Sequence, residues 1–98
     1  MSVVQKALDI LEEVQTADQE SSVLIDSHDL VVFNDDYNTF DHVIETLMRV
    51  CKHSALQAEQ CTHLIHHVGK CTVKKGAFDI LQPMKRAILE AGISAAIH

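Results

Sequence analysis

Leu30-Val31-Val32-Phe33-Asn34-Asp35-Asp36-Tyr37-Asn38-Thr39-Phe40-Asp41 is the stretch whose reading decides the fold. Residues 30–33 are aliphatic, β-branched or aromatic without a break, the pattern of a short buried strand. Asn34-Asp35-Asp36 ends it, because carboxylates do not enter an apolar core unpaired. Asn38 is a good helix N-cap and Asp41 stands at N3, so a helix starts at once. A strand, an acidic turn of about four residues and a helix therefore follow one another directly. The join puts two adjacent carboxylates and a carboxamide at the mouth between strand and helix. Taken alone, it is also what an ordinary polar turn with a cap looks like.

Working downstream, helix periodicity covers residues 39–51. Phe40, Val43, Ile44, Leu47, Val50 and Cys51 fall on one face, and Asp41, Glu45 and Arg49 on the other. Lys52-His53 are cations that suit the helix C-terminus. Ser54 and Gln57 form a capping box for a second helix, with Cys61, Leu64, Ile65 and Val68 as its apolar stripe and Gly69 as its stop. Residues 70–73 read as a short strand and 74–76 as a turn. A third helix covers 79–91, with Asp79 and Gln82 as its cap pair and Gly92 as its stop. Phe78, Leu81, Met84, Ile88 and Ala91 are its core side. Pro83 removes a backbone bond near the start of that helix and predicts a distorted first turn or a helix that starts nearer Pro83. Residues 93–97 form a last strand. The order β-α-α-β-α-β predicts a small α+β domain, a three-stranded antiparallel sheet with three helices on one face.

Working upstream, residues 1–22 read as a flexible or partly helical extension. Ala7, Leu8, Leu11 and Val14 have helical spacing, but 15–22 are polar without a core pattern. The domain proper is 23–98, with Val23-Leu24-Ile25 as a possible strand start and 26–29 as a turn or irregular edge.

Composition narrows the function classes. A chain of 98 residues holds one domain, and the absence of Trp makes its core mostly aliphatic. The net charge of −6 argues against a nucleic-acid binder, which needs clustered Lys and Arg. No apolar run reaches membrane-spanning length, and the first residues lack the basic start and apolar stretch of a signal peptide. Three cysteines without CxxC spacing imply free thiols in a reducing cytoplasm.

The second helix carries Cys61, His63, His66 and His67. His63 and His67 are i and i+4, a spacing that can grip a metal, but two ligands do not close a site and none is expected. His66 lies at the border of the apolar stripe, one turn from the helix end. It is either a half-buried capping histidine or, if this helix packs beside the first strand, a group facing the acidic mouth. No Ser or Cys stands next to a base, and three glycines build no phosphate loop, so no catalytic centre is read.

Asn34-Asp35-Asp36-Tyr37, the helix start Phe40-Asp41-His42-Val43-Ile44, Gln57-Ala58-Glu59-Gln60 and His66-His67-Val68-Gly69-Lys70 together resemble the ClpS adaptor family, over about residues 30–97. The resemblance implies a non-enzymatic, cofactor-free, monomeric adaptor of bacterial Clp proteases in the cytoplasm. Such adaptors bind N-degrons, proteins that begin with a bulky hydrophobic residue, and hand them to a ClpA- or ClpC-type unfoldase. By that resemblance Asn34, Asp35 and His66 hold the substrate's α-amino group. Phe40, Val43, Thr62, Ile65 and Ala95 line the side-chain pocket, and Leu81 and Arg86 contact the unfoldase. The chain departs from the commoner family pattern in reading Asn38-Thr39-Phe40 where many members read Thr-Pro-Met. It also has Thr62 where Met is common, and two extra residues around Lys74-Lys75. Two other readings compete: an interaction domain without N-terminal specificity, and a small metal-binding protein using His63 and His67.

Overall fold

A computed structural model describes residues 27–98. The expected extension over 1–22 and the possible strand start at 23–25 lie outside the described residues. The elements run β1 (His28–Phe33), α1 (Phe40–Cys51), α2 (Ala55–Val68), β2 (Lys70–Gly76), α3 (Phe78–Glu90) and β3 (Ala95–Ile97). The sheet has the order β2-β1-β3 and is antiparallel throughout. Its centre is β1, which carries the apolar run 30–33. β1 begins two residues earlier than its apolar run, because His28 and Asp29 pair regularly with Gly76 and Lys75 instead of forming a turn or irregular edge.

Leu30 and Val32 are fully buried and share one core cluster with residues of all three helices, so the helices cover one face of the sheet. α1 contributes Val43, Leu47 and Cys51, α2 Ala58 and Ile65, and α3 Leu81 and Ile88. The line turned inward by α2 is Ala58-Thr62-Ile65, whereas Leu64 and Val68 face outward and Cys61 is only half-buried. The expected stripe is thus rotated. Thr62 can enter the core because its hydroxyl donates to the Ala58 carbonyl at 2.7 Å, which satisfies it within its own helix.

β2 is longer than its apolar run and runs through Lys74-Lys75 to Gly76, where a turn was expected. Between Leu30 and Val31 the register jumps from Lys74 to Thr72, leaving Val73 as an unpaired bulge residue pointed into the core. The bulge explains His53. It does not serve as a helix-end cation but is buried, with Nε2 donating to the Val73 carbonyl at 2.7 Å. A carbonyl only accepts, so Nε2 carries the proton, and among the described residues the buried Nδ1 has no hydrogen-bond partner.

Caps follow local chemistry with two exceptions. Ser54 accepts from the Gln57 backbone N–H, and Gly69 takes the left-handed conformation at φ 105°, both as expected. α1, however, is capped by Thr39, whose hydroxyl accepts from the His42 N–H at 3.1 Å. Asn38 is engaged elsewhere. α3 starts at Phe78 with Ala77 at its cap and no side-chain bond, so Asp79 and Gln82 are not its cap pair. Pro83 lies beyond the first turn and leaves the helix continuous. α3 closes in a Schellman motif, with Gly92 N–H on the Leu89 carbonyl and Ile93 N–H on that of Ile88. β3 begins at Ala95, so Ile93 is left before the strand and is buried.

Candidate functional site

The end of β1, the acidic turn, the first turn of α1 and the inner face of α2 enclose a small cleft. Its polar end holds Asn34, Asp35, Asn38 and His66, and its apolar walls include Phe40, Val43, Ile65 and Ile93. Phe33, Thr39 and Thr62 complete the lining. Asn34 N–H donates to the Gly69 carbonyl at 2.9 Å, tying the exit of β1 to the exit of α2. That bond is why residues so distant in sequence meet: Asn34 follows β1, and His66 is one turn before Gly69.

Asp35 is committed to its own turn. Its Oδ1 accepts from the backbone N–H groups of Tyr37 and Asn38, both at 3.0 Å. The Asn38 amide adds contacts of 2.9 Å to Oδ1 and 2.8 Å to Oδ2. Slight burial pushes its carboxyl upward, but the Asn38 and Tyr37 N–H groups, the Asn38 amide and nearby His42 outweigh that and hold it below the ordinary carboxylate value. The group is therefore an anion at neutral pH, and Oδ2 keeps room for a further donor. Phe40 stands at the rim with His63 and His66 edge-on to its ring, at centroid distances of 4.8 and 5.5 Å. The cleft offers about 20 Å³ of water-accessible space, room for about one water.

Asn34, Asp35, His66, Phe40, Val43, Thr62 and Ile65 all line this cleft. Ala95 does not: it is paired with Val32 inside the sheet, and Ile93 forms the wall instead. Leu81 is fully buried in the core, so its side chain offers nothing to a partner, whereas Arg86 is exposed. Sequence reasoning missed Phe33, Thr39 and Ile93, and took Asn38 for a cap. Ile93 had a readable signal, an apolar residue directly after a helix-ending glycine. His63 and His67 stack at 5.8 Å with planes 4° apart, and among the described residues no three His, Cys, Asp or Glu side chains are grouped to hold a metal. No described helix is long and apolar enough to cross a membrane.

Fold and cleft together define a small α+β domain with a surface slot that is polar at one end and apolar inside. The family described as ATP-dependent Clp protease adaptor protein ClpS matches residues 25–95. The ATP-dependent Clp protease adapter protein ClpS of Thermosynechococcus vestitus is 30% identical over 71 residues, which are 71% of this chain and 76% of that protein. Agrobacterium tumefaciens ClpS2, solved bound to L-phenylalaninamide, superposes with a TM-score of 0.69 at 23% identity, covering 74% of this chain and 95% of that one. The chain belongs to the ClpS family of Clp protease adaptors.

Proposed function

We propose that this adaptor captures proteins by a bulky hydrophobic N-terminal residue and hands them to a ClpA- or ClpC-type unfoldase, without catalysis or cofactor. The observation that carries the reading is the chemistry of the cleft, with acceptors of Asn34, Asp35 and His66 at its mouth and apolar walls within. A free N-terminal ammonium has donors to place and accepts nothing, so it asks for a carboxamide oxygen, a carboxylate and a neutral imidazole nitrogen. Each charge-assisted bond is worth about 1.5–3 kcal/mol. Burying a Leu or Phe side chain adds roughly the same. Set against association costs of several kcal/mol, the two anchors give roughly micromolar affinity, and neither suffices alone. L-phenylalaninamide, the ligand of the Agrobacterium relative, has a free amine and an apolar ring, the same two features.

Phe40 offers its ring to the bound side chain, with His63 and His66 packed edge-on against it. Delivery falls to residues 1–22, with exposed Arg86 as a further contact for the unfoldase. The adaptor acts as a monomer in the cytoplasm. Titration of a peptide beginning with Phe, beside its N-acetylated twin and Zn²⁺, tests the reading. Tight binding of the free peptide alone is expected. Equal binding of the acetylated form refutes the reading, and binding of Zn²⁺ alone would favour a metal-binding protein.

A further inference from the structure

We propose that Asn38 is a positioning residue that locks the amine-binding end of the cleft to its side-chain end, by holding the Asp35 carboxylate and the Gly92 carbonyl at once. The proposal rests on the adaptor reading above and adds to it a residue that resemblance alone does not supply. Asn38 Nδ2 lies 2.9 and 2.8 Å from the two Asp35 oxygens and 2.9 Å from the Gly92 carbonyl oxygen. All three partners only accept, which fixes the amide's orientation and uses both of its hydrogens. One hydrogen serves the carboxylate and the other the carbonyl.

Each half of the clasp has a consequence at the cleft. On the Asp35 side, the backbone N–H groups of Tyr37 and Asn38 already occupy Oδ1. The Asn38 amide fixes the remaining rotation of the carboxylate and leaves the outer side of Oδ2 for a ligand's ammonium. On the Gly92 side, the residue is left-handed at φ 85°, and its carbonyl belongs to the peptide plane leading into Ile93. Holding that plane sets Ile93, a buried wall of the cleft. His42 adds a second tie from the same helix end, with its Nε2 2.8 Å from the Ala91 carbonyl oxygen. Asn38, just before α1, and His42 in its first turn thus grip the α3–β3 turn at two successive carbonyls.

The clasp is particular to an amide at this position. A Thr hydroxyl, common there in the family, has one hydrogen and cannot donate to Asp35 and Gly92 together. The amine site and the wall are therefore coupled here through one side chain, and disturbing it alters both affinity and side-chain preference.

The test compares the full chain with Asn38→Ala and Asn38→Thr. Three quantities are read: the Asp35 carboxyl titration by ¹³C NMR, the Ile93 amide resonance, and affinities for peptides beginning with Phe or Leu. For Asn38→Ala, Asp35 should titrate at higher pH, the Ile93 amide should shift, and affinity for both peptides should fall about tenfold or more. Asn38→Thr, which keeps one donor, should restore the Asp35 titration but not the Ile93 resonance, and should change the Phe-to-Leu ratio. It also keeps the proposal testable if Asn38→Ala does not fold. A wild type that binds, with both variants binding equally well and with Asp35 and Ile93 unmoved, overturns the clasp alone. A wild type that binds neither peptide overturns the adaptor reading and this proposal with it.

Discussion

Replacing Asp35 by Asn and by Ala separates the observed job of this carboxylate, building the acidic turn, from the proposed one, meeting a ligand's ammonium. In the turn, Oδ1 accepts from Tyr37 N–H and Asn38 N–H at 3.0 Å, and the Asn38 amide bridges both oxygens. Asp35→Ala removes every one of these acceptors. Each bond contributes about 0.5–1.5 kcal/mol, and water replaces part of the loss at this half-open site, so the expected destabilisation is about 1–2 kcal/mol. For a domain of this size that lowers Tm by roughly 4–8 °C per kcal/mol. Asp35→Asn keeps an oxygen for the two backbone N–H groups but presents an amide to the amide of Asn38. It should cost less than about 1 kcal/mol. Both variants lose the charge proposed to face the ammonium, worth about 1.5–3 kcal/mol, so affinity for a Phe-initiated peptide should drop roughly 10- to 150-fold in each. The assay is calorimetric titration with the free peptide and its acetylated twin, beside thermal melts of all three proteins. Acid adds a signature. Because folding lowers the Asp35 carboxyl, its contribution to stability is full above the ordinary carboxylate value and is lost as pH falls through the folded value. Asp35→Asn should flatten that part of the stability curve. If Asp35→Asn binds the free peptide as tightly as the wild type, the carboxylate is only a turn builder and the assignment is refuted.

Further outcomes follow from other residues. Thr62→Met, filling the wall beside Ile65, should lower the affinity for peptides beginning with Ile relative to Leu by about 1 kcal/mol, roughly fivefold. An unchanged ratio in a binding series would remove Thr62 from the pocket. His53→Ala should destabilise the fold by about 2–4 kcal/mol in urea titration, since it strands the buried Val73 carbonyl at the bulge and leaves a cavity. A loss under half a kcal/mol would contradict that role. Burial pushes the Cys51 thiol up to about 11 and, with Cys61 beside it, burial pushes that of Cys71 up to about 12. Both should resist iodoacetamide in the native protein at pH 8. Because the folded state holds these protons more tightly, stability should fall as pH rises above 9, the ordinary value. Removal of residues 1–22 should leave peptide binding intact and abolish faster degradation by the unfoldase and its protease. Equal degradation by both forms would end the claim for the extension.

The features that were legible in the sequence are those whose cause is local. The unbroken run at 30–33, the Ser54–Gln57 box and the glycines at 69 and 92 announce a strand, a helix start and two helix stops without help from distant residues. Errors arose where a distant partner decides. Asn38 and Thr39 are both competent caps, and Gly92, brought in by the α3–β3 turn, claims the Asn38 amide and leaves the cap to Thr39. His53 read as a solvated cation because the bulge that exposes the Val73 carbonyl has no mark in the sequence. The α2 stripe was rotated because Thr62 counts as polar until its own helix satisfies the hydroxyl. Asn34, Asp35 and His66 came from family resemblance, and spacing alone did not bring them together. The bond from Asn34 to Gly69 that joins them crosses from one element to another.

The edges of the sheet bear on the company this protein keeps. An adaptor of the proposed kind spends its time beside chains on their way to being unfolded, whose loose segments pair readily with any open strand. β3 is only three residues long, too short to template a foreign strand. The other edge, β2, is bent by the bulge at Val73 and studded with Lys70, Lys74 and Lys75. Both borders are thereby poor landing places for a sticky client. Straightening β2 by deleting the bulge, or stripping its lysines, would turn a carrier into a seed, taken out of solution by the material it is meant to pass on.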